Sequence, residues 1–268
     1  MTAPSALARF RTEYGAHRAS EGRAHSRAEL FALPYLRSGP LAKQWSVRAR
    51  TFEVFMRRVV APAARTVDRP LRLLDLGAGN GWLCHRLARA GGHAVAVDIR
   101  DDSIDGLGAA KPFFSAGFPP FGRIVASFDA LPIHDAEFDI VVFNASLHYA
   151  TSLHVVLDEA RRVARKGGRL AVLDSPFYKR DGDGRAMVDD KRRNASAQFG
   201  ERAEALLSLP FIEFLTRDRL DAASRGLGLA WRRHRVSYPL WYEARPYVAR
   251  LRRRRPPSRF DLWETSVA

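Results

Sequence analysis

Cysteine and long apolar runs are nearly missing from this sequence. Cys84 is the only cysteine among 268 residues, which excludes an internal disulfide and a zinc site built from several cysteines. No run approaches the roughly 20 apolar residues that a membrane-spanning helix needs. A secretory signal requires an apolar block followed by a cleavage site of small residues, and the first thirty residues contain no such block. We therefore expect a cytoplasmic protein without a transmembrane segment.

Acidic side chains are scarce relative to basic ones, and the imbalance is uneven along the chain. The sequence has 44 Lys and Arg against 29 Asp and Glu, a net charge of +15. Residues 1–69 carry a net charge of +8 and residues 217–259 one of +10, whereas the remainder sums to −3. Basic flanks attract nucleic acid, acidic lipid headgroups or small anionic substrates. A solvated surface without a partner explains the same charge, including that of Arg250–Arg255.

Short apolar runs alternate with helical segments in the middle of the chain. The runs are Leu71–Leu76, His93–Asp98, Arg123–Phe128, Phe138–Asn144 and Arg169–Asp174, and helices are expected at Trp82–Arg89 and Leu153–Ala164. This alternation predicts an α/β fold with a parallel sheet and right-handed crossovers. Two later runs, Leu229–Val236 and Phe260–Val267, are expected to form an antiparallel hairpin at the sheet edge.

The two flanks are expected to be mainly helical. Residues 41–60 have apolar side chains at helical spacing, and Pro62 is expected to end that helix. Residues 175–216 form a long excursion with helical spacing over 203–215, and a further helix is expected at 217–226.

The segment Leu74–Gly81 reads LDLGAGNG, and it ends a strand and opens a helix. Glycines let the backbone approach a ligand closely, and the start of a helix presents free N–H groups. Dinucleotide-binding proteins share such a loop, and a tight turn without a ligand has the same pattern.

Carboxylates near this loop sharpen the prediction. Asp75 stands two residues before the first glycine, where it can accept hydrogen bonds from a cationic amine or from a water held by one. Asp98 ends the second strand and is placed to accept both hydroxyls of a ribose. Asp129 follows the third strand, where it can accept from an adenine amino group while the Ala130 N–H donates to the ring. Polar residues that merely start loops remain the alternative for Asp98 and Asp129.

Five segments in order resemble the motifs of class I S-adenosylmethionine-dependent methyltransferases. They are the glycine loop, Asp98, Asp129–Pro132, Phe138–Asn144 and Arg165–Leu170. The similarity covers about residues 70–175 and resembles the small-molecule branch that includes the ubiquinone and menaquinone biosynthesis methyltransferases. It implies a Rossmann-like seven-stranded sheet, mostly parallel, with helices on both faces and an antiparallel last strand. It also implies S-adenosylmethionine as the cofactor.

The resemblance assigns roles to individual residues. It places Gly77, Ala78, Gly79 and Gly81 along the methionine part of the cofactor. Asp75 would help to hold the amino group, Asp98 would bind the ribose, and Ile99 would flank the adenine ring. Residues 1–69 are then expected to form a helical lid over a methyltransferase domain of residues 70–268, with substrate-side insertions near 175–216 and 238–258.

The segment after the fourth strand, Asn144–Tyr149, is where the acceptor normally meets the methyl group in this family. Asn144 is expected beside the cofactor, and Tyr149 is expected to shape the pocket. His148 is a candidate base for the acceptor, with a packing or substrate-contact role as the alternative. Arg48, on the helix that also holds Trp45 and Arg50, is a candidate clamp for the methionine carboxylate.

The wall of an apolar acceptor pocket also has candidates in the sequence. They are four phenylalanines and a later aromatic segment: Phe113, Phe114, Phe118, Phe121 and Pro239–Tyr242. The histidines show no metal-ligand spacing, so no metal is expected.

We therefore expect methyl transfer to oxygen, carbon or nitrogen of a small, apolar or anionic acceptor. An RNA methyltransferase that uses the basic flanks is one alternative, and a non-catalytic module that binds S-adenosylmethionine is another. Asp75 and the Asp129 motif disfavour a nicotinamide-dependent dehydrogenase.

Overall fold

The computed structural model describes residues 6–268 and has a seven-stranded β-sheet at its centre. The strands are β1 (Arg72–Leu76), β2 (His93–Asp98), β3 (Gly122–Val125), β4 (Phe138–Asn144), β5 (Ala164–Leu173), β6 (Arg232–His234) and β7 (Leu262–Ser266). Their order is β3-β2-β1-β4-β5-β7-β6. Strand β7 runs antiparallel to β5 and β6, whereas the pairs among β1 to β5 are parallel. The predicted sheet, with its late antiparallel hairpin, is therefore confirmed.

Alternate residues of the central strands pack against helices on opposite faces of the sheet. In β4, Ile140 and Val142 belong to one buried cluster, and Val141 and Phe143 belong to the other. All four side chains are fully buried. Strands covered on both faces read as continuous apolar runs, and this explains why β4 was readily predicted.

The N-terminal part of the chain packs on the same face as the helix after β1. It contains α1 (Ala6–Ser20), α2 (Arg27–Ala32), α3 (Ala42–Phe55), a π-helical turn (Met56–Val60) and α4 (Ala61–Ala64). Trp45 and Phe55 of α3 share one core with Leu73 of β1. The expectation that Pro62 ends the helix is wrong, since α4 continues through it. Proline has no N–H to donate. The wider π turn just before it has already shifted the backbone hydrogen-bonding pattern, so the helix tolerates the missing donor.

The other helices connect and follow the strands. They are α5 (Trp82–Arg89), α6 (Lys111–Ser115), α7 (Leu153–Val163), α8 (Asp181–Arg193), α9 (Ala195–Phe199), α10 (Ala203–Leu207), α11 (Arg217–Ala223), α12 (Leu240–Glu243) and α13 (Arg245–Leu251), with short 3₁₀ turns at Leu107–Ala110, Leu147–Tyr149 and Gly200–Arg202. The helix expected over 203–215 stops early, because Pro210 disfavours helical backbone at the preceding residue. Within residues 6–268, no helix combines the length and the apolar character that crossing a membrane requires.

His85 of α5 lies in the core without a hydrogen-bond partner. Its ring stacks on Phe113 at a centroid distance of 4.1 Å, and neither ring nitrogen has a partner among the described residues. Burial, together with the nearby Arg86 and Arg89, lowers the pKa of His85 to about 4. Between about pH 4 and pH 6.5, this imidazole is therefore neutral in the folded protein but protonated in the unfolded chain.

We predict that His85→Phe removes part of the loss of stability in acid. Because the folded-state pKa is below the unfolded one, the unfolded chain binds the extra proton between these values. The native free energy of unfolding then falls by up to about 1.4 kcal/mol per pH unit as the pH drops below 6.5. Urea denaturation at neutral pH and near pH 5 measures the difference between the two proteins. Parallel pH dependences of the variant and the native protein would contradict the prediction.

Candidate functional site at the carboxyl edge of the sheet

A cavity of about 340 Å³ opens where the strand order reverses between β1 and β4. Such a switch point at the carboxyl ends of parallel strands is the usual ligand crevice of open α/β sheets. The predicted site residues in its lining are Arg48, Gly77, Ala78, Gly79, Asp98, Ile99, Asp129, Asn144 and Tyr149. Four other predicted residues, Asp75, Gly81, Ala130 and His148, lie outside this lining.

The loop after β1 is held by its own backbone and by the end of β2. The N–H groups of Gly77 and Ala78 donate to the Val97 carbonyl at 2.8 and 3.0 Å. Gly77 has a φ of +77°, and a Cβ placed there would fall 2.4 Å from the Cβ of Ser146. The glycine is therefore required by its backbone conformation and by the close approach of the β4 loop.

Asp98 ties the glycine loop to the end of β2. One carboxylate oxygen accepts from the Gly79 N–H at 2.8 Å, and the other accepts from the Arg100 N–H at 2.9 Å. Burial raises the pKa of Asp98, and the two backbone hydrogen bonds oppose that rise. Each oxygen keeps further acceptor capacity toward the cavity.

Asp75 lies beneath the glycine loop rather than in the cavity. It is 1% exposed, one carboxylate oxygen has no partner among the described residues, and the Cys84 thiol of α5 lies 4.0 Å from the other. Burial, with Asp98 nearby, raises the pKa of Asp75 well above its usual value. Asp75 is therefore near the cavity but outside its lining. Strand alternation places it on the face of the sheet that packs against α3 and α5, whereas Leu74 and Leu76 lie on the opposite face.

The predicted adenine contacts are only partly brought to the cavity. Asp129 is exposed and stands at its mouth. The Ala130 N–H donates to the Ser127 carbonyl at 3.4 Å and lies outside the lining. This amide is therefore already hydrogen-bonded within the turn. Gly81, likewise outside, begins α5 with a φ of +74° and packs against Phe121.

Three arginines gather at one end of the cavity, and the sequence predicted only one of them. Arg18 donates to Asp105 at 2.8 Å, and Arg48 lies 3.7 Å from Asp174. Burial, together with the positive charges of Arg18 and Arg48, lowers the pKa of Arg23 to about 10. The crowding of these guanidinium groups favours an anion at this end. Arg50, expected beside Arg48, instead points outward to Glu53.

The loop after β4 contributes a free acceptor and a tyrosine. Asn144 is buried, and its side-chain oxygen has no hydrogen-bond partner among the described residues. The hydroxyl groups of Tyr149 and Tyr14 lie 2.8 Å apart. Burial raises the pKa of the Tyr149 phenol well above its usual value, so this hydroxyl stays neutral.

A second cavity of about 560 Å³ adjoins the first and contains His148. The two cavities share six lining residues: Tyr14, Arg18, Arg23, Arg48, Ala145 and Tyr149. The outer wall of the second cavity includes Trp241, Tyr242 and Phe260. The predicted aromatic segment near residue 240 therefore does line a cavity. The four phenylalanines of residues 113–121 do not, because they pack around α5 and with one another.

Two groups able to accept a proton face this second cavity. The Nδ1 of His148 lies 3.5 Å from the Ser175 hydroxyl, and burial, with Lys191, Arg48 and Arg18 nearby, lowers the pKa of His148 to about 3. Burial raises the pKa of Asp174 to about 6, although Arg48 opposes this rise. Asp174 has a φ of +51°, a strained conformation of the kind that clusters at functional sites.

Sequence reasoning did not find Asp174, Arg18 or Arg23. Asp174 could have been found, because it ends the fifth expected strand at the same edge of the sheet as Asp98. Arg18 and Arg23 carry no local signal, since their role depends on how α1 and the turn after it fold over the sheet. Among residues 6–268, no cluster of three or more His, Cys, Asp or Glu side chains is arranged to hold a metal ion.

Residues 74–172 match the sequence profile of the family described as methyltransferase domain. This segment is a methyltransferase domain. The match confirms the resemblance on which the motif analysis was based, and it covers the glycine loop, Asp98 and the β4 loop.

Curated relatives agree with this assignment. A malonyl-[acyl-carrier protein] O-methyltransferase from Methylococcus capsulatus is 34% identical over 104 residues, which cover 38% of this chain and 36% of that protein. A ubiquinone/menaquinone biosynthesis C-methyltransferase from Rhizobium leguminosarum is 28% identical over 174 residues, which cover 60% of this chain and 65% of the relative. The chain thus matches less than two thirds of the length of either relative.

Solved structures confirm the fold of the methyltransferase domain and its flanks. Magnesium protoporphyrin IX methyltransferase from Synechocystis aligns with a TM-score of 0.58 at 16% identity, covering 97% of this chain and all of that one. The 1,6-didemethyltoxoflavin-N1-methyltransferase from Burkholderia thailandensis aligns with a TM-score of 0.52 at 16% identity, covering 100% of this chain and 93% of that one.

We predict that Gly77→Ala destabilises the methyltransferase domain more than Gly167→Ala does. The two glycines have nearly equal φ angles of +77° and +76°, but a Cβ at Gly167 meets no atom within 4 Å. Both variants therefore bear the left-handed backbone cost of about 1–2 kcal/mol. Only Gly77→Ala adds the clash with Ser146, for about 1–3 kcal/mol more. Chemical denaturation measures both, and equal losses would contradict the predicted close approach.

Proposed function

We propose that this protein is an S-adenosylmethionine-dependent methyltransferase whose acceptor is a small apolar or anionic molecule. The observation that carries the proposal is the position of the first cavity described above, called the main cavity from here on, against the methyltransferase segment of residues 74–172. The cavity lies at the strand-order reversal and is bounded by the glycine loop and Asp98. Its volume of about 340 Å³ falls in the range of about 300–1,000 Å³ that is usual for small-molecule sites.

The polar groups of the cavity fit the cofactor from one end to the other. Asp98 would accept from the ribose hydroxyls, with Ile99 beside the adenine and Asp129 near its amino group. The unpartnered oxygen of Asn144 would accept from the methionine ammonium group. At the basic end, Arg48 would pair with the carboxylate, together with Arg18 or Arg23. Asp75, outside the lining, would reach the ammonium through an intervening water.

When bound, S-adenosylmethionine supplies a methyl group on a positively charged sulfur, which makes that methyl group ready for attack by a nucleophile. The protein then mainly aligns the acceptor and excludes water. Alignment of this kind contributes about 7–11 kcal/mol to lowering a barrier. Residues 6–69 would act as the lid, because Phe10, Tyr14 and Arg18 of α1 line the main cavity; residues 1–5 of the expected lid lie outside the described residues.

The second cavity is the proposed acceptor site. It meets the main cavity at Tyr14 and Tyr149, so an acceptor there lies next to the cofactor. Its aromatic wall favours an apolar or aromatic body, and its arginines favour a negative charge on the acceptor. The curated relatives named for a quinone pathway and for malonyl-acyl carrier protein support a small-molecule acceptor over RNA.

Asp174 is the proposed proton acceptor in this cavity. A general base works best when its pKa is near the working pH, and the pKa of Asp174 is about 6. With a pKa of about 3, His148 stays neutral and is a weak base, so its proposed part is to hydrogen-bond the acceptor. Tyr149, with its neutral hydroxyl, would shape the passage between the cavities.

Isothermal titration calorimetry with S-adenosylhomocysteine and with NADH tests the cofactor assignment. We expect the first to bind and the second not to bind. Release of S-adenosylhomocysteine during turnover with a panel of aromatic and aliphatic acids tests the acceptor class. Binding without turnover on any acid would favour a non-catalytic module. Turnover on RNA alone would overturn the small-molecule proposal.

We predict that Asp98→Ala weakens the binding of S-adenosylhomocysteine at least about tenfold, because charge-assisted hydrogen bonds to the ribose are lost. Asp101→Ala is the matched control, since Asp101 is exposed and, among the described residues, forms an ion pair only with Arg11 at 3.5 Å. Calorimetry measures both affinities, and the melting temperature of each variant checks its fold. Unchanged affinity in a folded Asp98→Ala protein would refute the ribose assignment.

We predict that kcat/KM falls as the pH drops below about 6, because the Asp174 carboxylate must be unprotonated to accept a proton. Asp174→Asn should lower the rate and abolish this acid limb. His148→Asn should keep the limb, because His148 does not titrate in that range. The rate of S-adenosylhomocysteine release, measured across the pH range, gives the kcat/KM profile of each protein. Persistence of the limb in Asp174→Asn would exclude Asp174 as the base.

A further inference from the structure

An unusual concentration of exposed apolar side chains lies on residues 240–255, which we call the outer surface. Of the eight large apolar side chains that are exposed among the described residues, five lie between residues 240 and 251. They are Leu240 (88% exposed), Trp241 (44%), Tyr247 (77%), Val248 (43%) and Leu251 (85%). The other three, Tyr35, Val125 and Val155, are far apart in the sequence. Single exposed apolar residues need no explanation, but a cluster of them marks an interaction site.

Backbone hydrogen bonds from Ala244 to Leu240 and from Val248 to Ala244 continue the helical path from α12 into α13, which places Leu240 in line with the exposed residues of α13. Tyr247 and Leu251 are four residues apart on α13, and Val248 and Leu251 are three apart, so their side chains lie on one face of the helix. Val248 and Trp241 also line a common groove of about 800 Å³ together with Arg252 and Arg254. Apolar and basic side chains therefore share this groove.

The charge of the outer surface is strongly positive and largely uncompensated. Residues 244–260 contain no Asp or Glu. Four exposed arginines, Arg250, Arg252, Arg253 and Arg254, make no ion pair with any described residue. Arg255, by contrast, pairs with Asp190 at 3.1 Å. A partner that matches this surface must present negative charge and also accept apolar side chains.

We propose that the outer surface docks on the face of an anionic phospholipid bilayer. The leucines and aromatic rings would enter the boundary between headgroups and acyl chains, and the arginines would contact the acidic headgroups. Single-stranded nucleic acid would use stacked aromatic rings between the basic residues, but the run Arg252–Arg255 contains none. Nucleic acid would also leave Leu240 and Leu251 in water.

The outer surface is continuous with the proposed acceptor site. Trp241 and Arg245 line both the outer groove and the second cavity that contains His148. Docking would therefore bring the bilayer close to that cavity, so that an acceptor dissolved in the lipid need not cross water. This part of the inference rests on the proposed function, and it makes the acceptor class an amphipathic, membrane-soluble molecule with an anionic or polar end.

Co-sedimentation of the full-length protein with vesicles tests the docking without any acceptor. We expect binding to phosphatidylglycerol vesicles, at least about tenfold weaker binding to phosphatidylcholine vesicles, and a decrease of the former with salt. The double variant Leu240→Ser/Leu251→Ser and the triple variant Arg252→Ala/Arg253→Ala/Arg254→Ala should each weaken binding to phosphatidylglycerol at least about tenfold.

Matched controls use exposed residues elsewhere on the molecule. Val125→Ser/Val155→Ser removes two other exposed apolar side chains, and Arg57→Ala/Arg58→Ala removes two exposed arginines of the π turn. Both should bind vesicles as the native protein does. No binding to phosphatidylglycerol, or equal loss in the controls, would overturn the proposal. Vesicle binding that is unaffected by the two leucine changes, with salt-sensitive binding of a single-stranded RNA, would assign the surface to nucleic acid instead.

Calorimetry with S-adenosylhomocysteine on the same variants separates this inference from the proposed function. The outer-surface variants should bind it as the native protein does, because none of the changed residues lines the main cavity. Failure of the native protein to bind S-adenosylhomocysteine would overturn the methyltransferase proposal and leave the vesicle result standing.

Discussion

The reversal of strand order between β1 and β4 is the constraint on which the site depends. The chain leaves β1 toward β2 on one side, and β4 leads to β5 on the other, so the connections diverge and open a crevice between them. Gly77 permits the loops after β1 and β4 to approach closely beneath this crevice, and the hydrogen bond from Gly79 to Asp98 fixes the loop to the end of β2. Groups at the strand ends and on α1 and α3 then line one continuous space.

The sequence predicted well those strands and helices whose bounds are set by patterns within a few residues. The bounds of β2, β4 and α5 coincide with the expected ones, because apolar runs and the glycine loop mark them locally. The same local logic could have shown that Asp75 lies on the face of the sheet that packs against α5, since strand residues alternate between faces. Arg18 and Arg23 were out of reach, because their position depends on the packing of α1 over the sheet edge. Composition alone likewise did not reveal that Phe113 belongs to the core.

The arginines of this chain lie in two different environments, one buried beside the cavities and one exposed. Arg18, Arg23 and Arg48 lie inside the protein beside Glu21, Asp105 and Asp174, and burial with the neighbouring guanidinium groups lowers the pKa of Arg23 to about 10. Crowded, buried guanidinium groups are costly, so this region is stabilised by an anion that enters. On the proposed function, the cofactor carboxylate and an anionic acceptor would supply that charge. Binding would then also stabilise the fold around the cavities.

The arginines of residues 250–254 do not line the main cavity. The exposed apolar residues near them distinguish two explanations for their charge, solubility and docking on lipid. A basic segment that served only solubility would have no use for Leu240 and Leu251, which expose 88% and 85% of their surface to water. Docking on lipid gives both residue types a partner at once. It also assigns directions to the two ligands. The acceptor would enter past Trp241 from the bilayer, whereas the cofactor would exchange with water at the mouth beside the exposed Asp129. The two openings therefore need not compete, and on the proposed function the cofactor would exchange while the protein stays docked on the bilayer.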